Sequence, residues 1–142
     1  MIAYFDTSSI VPLLAEEPGS KLCWDALAAS SVAVTTTIAY VEATAAIARA
    51  WSSGRLGALP EPDVVKKLDG VFRYFNVTDV DGELVRSAAR LAWKHPLRGY
   101  DAVHCAAALL FAEDDLVAFS GDRQLLAVWR SLGLATVDTS AA

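Results

Sequence analysis

Short strand-like runs alternate with helix-like segments along this chain, and this alternation limits the possible folds more than any other feature. Runs rich in β-branched and aromatic residues lie at 2–5, 32–36, 74–80, 116–119 and 135–137. The segments between them are amphipathic or alanine-rich and long enough for helices. Strands that alternate with helices pair in parallel through crossovers, and the helices cover both faces of the sheet. The pattern predicts an α/β fold with a central parallel sheet of about five short strands.

The helices of this fold can be placed by their start and stop signals. Ser8 or Ser9 is expected to cap a first helix that ends near Glu16 or Glu17. Glycine and proline recur within residues 53–62, which predicts a loop there. Further helices are expected at residues 20–29, 37–52, 63–72, 81–94, 100–112 and 122–132.

The length and composition predict one folded domain over residues 1–142. A chain of 142 residues, of which 54% are hydrophobic and 20% charged, can offset its conformational entropy by burial, and this excludes a disordered protein. No internal repeat or low-complexity linker marks a second domain. The two cysteines, Cys23 and Cys105, are too few for a disulfide scaffold and too far apart for a zinc pair, so we expect buried free thiols.

Charge and hydropathy favour a cytoplasmic protein. The uncharged stretch at residues 26–41 is interrupted by serines and threonines, so it is not a membrane span. The chain starts without basic residues and reaches a carboxylate at Asp6, which argues against a secretory signal. The net charge of −5 opposes non-specific coating of nucleic acid. It does not exclude a nuclease, because carboxylates that hold a divalent cation are neutralised by it.

Four acids are placed where a parallel sheet forms its sites. Asp6 follows the first predicted strand directly, and Asp122 follows the fourth after two residues. Glu42 lies in the second turn of the helix after the second strand, and Asp101 opens the helix before the fourth. Sites of such folds lie beyond the carboxyl ends of the strands. We therefore expect all four acids to reach the same edge of the sheet.

The apolar surroundings of two of these acids indicate a bound cation. Glu42 lies within an alanine-rich helix, and Asp101 precedes a run of small apolar residues. An unpaired charge in such surroundings costs several kcal/mol, and few lysines or arginines lie near these acids, Arg98 and Arg123 being the main exceptions. Clustered carboxylates suit Mg²⁺ or Mn²⁺ better than zinc. The matching chemistry is metal-assisted phosphoryl transfer.

Each acid also has a purely structural interpretation. Asp6, Asp101 and Asp122 each stand where a helix N-cap is expected. Glu42 either faces solvent or pairs with Arg49, two turns further along the same helix. A purely structural explanation of all four acids together is less convincing than such an explanation of any single one.

His104 is a further candidate, because it follows Asp101 by three residues on the same helix face. It either joins the site or is a buried histidine satisfied by its neighbours, and the second interpretation is the simpler one.

Four motifs surround these acids in the order Tyr4-Phe5-Asp6-Thr7-Ser8-Ser9, Ala39-Tyr40-Val41-Glu42, Leu97-Arg98-Gly99-Tyr100-Asp101-Ala102-Val103-His104-Cys105-Ala106-Ala107-Ala108 and Ser120-Gly121-Asp122-Arg123. In this order and spacing they resemble the PIN-domain family, and in particular the toxin ribonucleases of the VapBC type. The resemblance covers nearly the whole chain, and the segment around Asp101 is its most specific part.

The resemblance implies a PIN-like domain that cleaves RNA endonucleolytically with Mg²⁺ or Mn²⁺. It also implies a homodimer and neutralisation by a cognate VapB-type antitoxin. Asp6 and Asp101 would be the main metal ligands, and Glu42 and Asp122 would complete the acidic, catalytic pocket. The hydroxyls of Ser8 and Ser120 would hydrogen-bond a ligand, a water or the scissile phosphate.

Two other families that place an aspartate after the first strand fit less well. A phosphatase of the haloacid-dehalogenase type needs a second acid two residues after Asp6, where this chain has Ser8. A receiver-type phosphoacceptor needs a late lysine, but the last lysine is Lys94. The alternative that stays open is a non-catalytic PIN-like module that binds RNA or protein.

Overall fold

Five parallel strands form the central sheet in a computed structural model that describes residues 1–54, 61–113 and 115–140. The order across the sheet is β3-β2-β1-β4-β5, and every neighbouring pair is parallel. The predicted α/β fold with a parallel sheet of about five strands is therefore confirmed. The strands are β1 (Ile2–Phe5), β2 (Val32–Thr36), β3 (Asn76–Thr78), β4 (Leu116–Ser120) and β5 (Ala135–Asp138).

Helices connect these strands, close to where the sequence places them. Most of the loop predicted at residues 53–62 lies outside the described residues. Within the described part of the chain, no helix is both long and apolar enough to cross a membrane. The helices are α1 (Thr7–Leu14), α2 (Ser20–Ala29), α3 (Ile38–Ser52), α4 (Glu61–Phe72), α5 (Gly82–Lys94), α6 (Gly99–Leu109) and α7 (Arg123–Ser131).

The sheet has a hydrophobic core on each face, because successive side chains of a strand point to opposite sides. Phe5 lies on one face, where it stacks on Phe119 and packs with apolar residues of α1 to α4. Tyr4 lies on the other, where its ring meets that of Trp129 edge-on, among apolar residues of α5 to α7. Helices therefore cover both faces, as predicted. Cys23 and Cys105, one in each core, are buried free thiols, as the sequence also predicts.

The third strand is shorter than predicted. The sequence suggests residues 74–80, but only Asn76–Thr78 pair with β2. This strand is at the edge of the sheet and has a partner on one side only. Alternating side chains predict an extended backbone there, but the extent of pairing depends on the neighbouring strand.

The first helix begins and ends earlier than the sequence suggests. Asp6, rather than Ser8 or Ser9, is the N-cap, because its Oδ1 accepts a hydrogen bond from the backbone N–H of Ser9. The helix ends at Leu14 instead of near Glu16 or Glu17, since the backbone is already extended at the next residue. The aspartate that ends β1 therefore also starts α1.

The segment after β5 is tied to the elements that carry the site. Thr139 donates its backbone N–H to the carbonyl of Ser120, at 2.9 Å, and its hydroxyl lies 3.0 Å from that of Ser9. Gly19, at the start of α2, packs so closely here that a Cβ atom would lie 2.3 Å from the carbonyl oxygen of Thr139. Glycine is therefore required at position 19.

Candidate active site

The four acids singled out by the sequence line one cleft at the carboxyl edge of the sheet. Asp6 stands at the end of β1, and Asp122 lies two residues beyond β4. Glu42 reaches the cleft from the second turn of α3, and Asp101 from the first turn of α6. The fold therefore brings together acids from four separate segments, as expected for a sheet of this topology.

Asp6 is held by two parallel chains of hydrogen bonds. The backbone N–H of Gly121 donates to the hydroxyl of Ser8, which donates to Oδ1 of Asp6 at 2.7 Å. The backbone N–H of Asp122 donates to the hydroxyl of Ser120, which donates to Oδ2 at 2.6 Å. Each chain runs from the turn after β4 to the carboxylate after β1, so the position of Asp6 depends on the pairing of these two strands.

Asp101 and Asp122 share one arginine. Nε of Arg98 lies 3.2 Å from Oδ2 of Asp101, and its Nη2 lies 3.6 Å from Oδ2 of Asp122. The other oxygen of Asp122 accepts the backbone N–H of Leu125 and caps α7. The Asp101 side chain is 8% exposed and that of Arg98 is 63% exposed, so the guanidinium covers the acids from the solvent side.

Burial disfavours the charged form of two of the cleft carboxylates. Burial raises the pKa of Asp6 above its ordinary value, although His104 and the two serine hydroxyls oppose the shift. Burial and the charge of Asp122 also raise the pKa of Asp101, in spite of Arg98. Both pKa values end above the ordinary value mainly because burial penalises the charged form of these two carboxylates.

Glu42 is held by a network that extends into the core. Its Oε1 accepts hydrogen bonds from the hydroxyl of Thr7, at 2.7 Å, and from Nε2 of His104, at 2.8 Å. The other ring nitrogen of His104, Nδ1, lies 2.7 Å from the hydroxyl of Tyr4. Burial alone would raise the pKa of Glu42, but the bonds from His104 and Thr7 outweigh it and leave that pKa below its ordinary value.

The structure also decides between the alternative interpretations of the acids. Glu42 pairs with His104 and not with Arg49, which lines the same cleft. Asp101 is not an N-cap, because Arg98 holds that position. Asp122 is one, so its structural role is confirmed, and its chemical role stays a prediction.

Two predicted side-chain roles need restating. His104 is buried and satisfied, as the simpler interpretation held, yet it lines the cleft and bonds to one of its acids. Its position three residues after Asp101 was the sequence signal for this. The hydroxyls of Ser8 and Ser120 bond to Asp6, and Ser120 is fully buried, so it can act on a ligand only through that carboxylate. Contact of Ser8 with a ligand stays a prediction.

The donor chemistry of the cleft fits a hard divalent cation, since carboxylate oxygens are the ligands that Mg²⁺ prefers. The present arrangement is nevertheless not a ready-made cage. Among the described residues, no three His, Cys, Asp or Glu side chains are arranged to hold a metal ion. Arg98 stands beside Asp101 and Asp122, and His104 and Thr7 bind Glu42. A cation therefore requires these side chains to turn.

A family model of the PIN domain matches residues 3–130, so the chain belongs to the PIN-domain family. Two relatives from Mycobacterium tuberculosis, Ribonuclease VapC45 (strain CDC 1551) and Ribonuclease VapC49 (strain H37Rv), are each 34% identical to it over 127 residues. The match covers 87% of this chain and 86% of each relative. The family expected from the motifs is thus confirmed.

The fold also matches solved structures. The VapBC2 structure from Rickettsia felis has a TM-score of 0.70 and covers 97% of this chain and 98% of its own. Its sequence identity is 13%, so it supports the fold alone. A single PIN-like domain with a five-stranded parallel sheet agrees with both comparisons.

Proposed function

We propose that this protein is a Mg²⁺- or Mn²⁺-dependent endoribonuclease and the toxin of a type II toxin–antitoxin module. Membership of the PIN-domain family and relatives named as ribonucleases support a nuclease. The observation that carries the metal dependence is the cleft itself. Four acids meet there, and burial leaves Asp6 and Asp101 with raised pKa values that a nearby cation would lower.

In this proposal Asp6 and Asp101 hold the metal ion, and Glu42 and Asp122 complete the catalytic pocket. A bound divalent ion would supply an activated water and stabilise charge on the phosphate oxygens. The protein's own part is positioning: Ser8 and Ser120 fix both oxygens of Asp6, and the partners of Glu42 fix its carboxylate.

Cleavage assays on purified, antitoxin-free protein test this proposal. We expect structured RNA to be cut at internal sites with Mg²⁺ or Mn²⁺ and to stay intact with EDTA. Asp6→Ala and Asp101→Ala should each lower the rate about 100-fold or more, since each removes a metal ligand. Asp25→Ala is the matched control, because this aspartate is exposed on α2 and pairs with Lys21.

Two results would contradict the enzymatic proposal: no cleavage by the wild type, or equal cleavage by the cleft variants. RNA that binds to the wild type without being cut would favour the alternative, a non-catalytic PIN-like module.

A VapB-type antitoxin is the proposed partner, and the cleft offers apolar surface for one. Val41 of α3 is 63% exposed and lines the cleft with Ile38 and Val11. An adjoining groove continues between α1 and α3. The sequence offers two candidate walls for an antitoxin groove, residues 13–27 and 37–51, because both are more apolar than a monomer of this size needs. α3 provides most of the observed surface, residues 15–17 of the first stretch line the adjoining groove, and α2 lines neither.

Expression with the antitoxin should give a complex that copurifies and does not cleave RNA. Val41→Asp should weaken that complex, because it places a charge on the apolar wall of the cleft. A homodimer is also proposed from the family resemblance, and sedimentation of the purified protein tests it. A cytoplasmic location is proposed from the charge and hydropathy of the sequence.

A further inference from the structure

Arg98 is the cation that bonds to the acids on the α6 and α7 side of the cleft. Its guanidinium reaches both Asp101, at 3.2 Å, and Asp122, at 3.6 Å. The ring of Tyr100 lies 5.0 Å from its Cζ and supports it from below. In the part of the chain that the structure describes, no other arginine or lysine forms an ion pair with a cleft acid.

The two partners of the Arg98–Asp101 ion pair differ in their exposure to solvent. The Asp101 side chain is only 8% exposed at the cleft, whereas the Arg98 side chain is 63% exposed and can turn into solvent. An exposed guanidinium itself gains little from such a pair. The nearly buried carboxylate, however, loses its counter-charge when Arg98 leaves, unless another cation takes its place.

A divalent cation and Arg98 cannot both hold these oxygens. The ion carries twice the charge, binds the carboxylate directly and repels a guanidinium at the same distance. Arg98 therefore occupies carboxylate oxygens of Asp101 and Asp122 that a metal ion would need.

We propose that Arg98 is an internal counter-cation of the cleft, which offsets part of the negative charge of Asp101 and Asp122 until a divalent ion displaces it. It is a positioning residue, and it lowers the affinity of the site for metal. This inference rests on the proposed metal-dependent function. Because Arg98 precedes α6 directly, its displaced side chain stays at the rim of the cleft.

Calorimetric titration of Mn²⁺ into the metal-free, antitoxin-free protein tests the role of Arg98. Arg98→Gln and Arg98→Met both remove the charge, and the second keeps an apolar stem against Tyr100. Each should bind Mn²⁺ about three- to tenfold more tightly than the wild type, the range expected for loss of an exposed competing ion pair. Arg90→Gln is the matched control, since Arg90 bonds to Ser87 on α5, does not line the cleft and carries the same charge.

A second measurement separates this role from a structural one. Thermal unfolding with EDTA and with Mn²⁺ should show a larger metal-induced rise in Tm for both Arg98 variants than for the wild type, whereas a structural defect lowers both transitions together. Wild type and Arg98 variants that bind Mn²⁺ equally well, or an equal gain in Arg90→Gln, would overturn the role of Arg98 and leave the metal site intact. Absence of Mn²⁺ binding in all variants would overturn both.

Discussion

Single side chains in this cleft are positioned by partners far away in the sequence. Glu42 bonds to His104, 62 residues further on, and Asp6 bonds to Ser120, 114 residues further on. A carboxylate only accepts hydrogen bonds, so Nε2 of His104 carries the proton that faces Glu42. In the neutral ring, Nδ1 then accepts the proton of Tyr4. His104 thus connects the core to the cleft.

Replacing His104 with leucine should destabilise the protein and raise the pKa of Glu42. The free energy of unfolding should fall by about 1–3 kcal/mol, because buried hydrogen bonds lose a partner. The pKa of Glu42 should rise because burial persists while the bond that opposed it is lost. Chemical denaturation measures the first effect, and a carboxyl-carbon NMR titration measures the second.

Tyr4→Phe is the control for this variant, since it removes a hydroxyl from the same network but leaves His104 against Glu42. It should lower stability and leave the pKa of Glu42 unchanged. An unchanged pKa of Glu42 in His104→Leu would show that His104 does not hold this carboxylate.

The helix starts carry three of the four cleft acids. Asp6 caps α1, Asp122 caps α7, and Asp101 lies in the first turn of α6. Backbone N–H groups and the helix dipole favour a carboxylate at these positions. The structural and chemical interpretations of Asp6 and Asp122 are therefore compatible and need not be alternatives.

Substitutions at Asp122 can separate its cap from its charge. Asp122→Ala should lower stability by about 1 kcal/mol, whereas Asp122→Ser keeps a cap oxygen and should lie within a few tenths of the wild type. In both variants the initial rate of RNA cleavage should fall about tenfold or more, because both remove the negative charge from the cleft. Stability is read from denaturant midpoints and activity from initial cleavage rates.

Asp81→Ala provides the comparison, because Asp81 caps α5 in the same way, through the backbone N–H of Leu84 at 2.9 Å. It should lose similar stability and keep its activity. Full cleavage by Asp122→Ser would mean that Asp122 serves only as a cap.

The whole molecule carries a net negative charge, and its cleft brings four acids close together. Its net charge is −5, and four of its acids share one cleft. The raised pKa of Asp101 means that the charged carboxylate is less favourable in the folded than in the unfolded protein. Its contribution to stability therefore falls as the pH rises through the ordinary carboxylate range.

Asp101→Asn should consequently raise the stability of the metal-free protein near neutral pH. The gain should appear as a higher Tm of the metal-free variant, with each 1 kcal/mol worth about 2–6 °C in a domain of this size. Calorimetry with EDTA measures this gain, and added Mg²⁺ should then raise the Tm of the wild type but not that of the variant. Asp25→Asn removes an exposed charge beyond the first turn of α2 and should leave Tm almost unchanged. A lower Tm for Asp101→Asn would show that Arg98 already compensates this carboxylate fully.

The sequence by itself determined the class of fold, the strand order in the chain, the family and the identity of the four acids. These follow from local signals, namely side-chain period, capping residues and the place of an acid after a strand. Only the tertiary structure decided which groups bond to each acid and how many residues of β3 pair with β2. It also decided that Arg98 forms ion pairs with both Asp101 and Asp122. The reason is physical: hydrogen bonds and burial between segments about 100 residues apart depend on packing, and no local pattern encodes them.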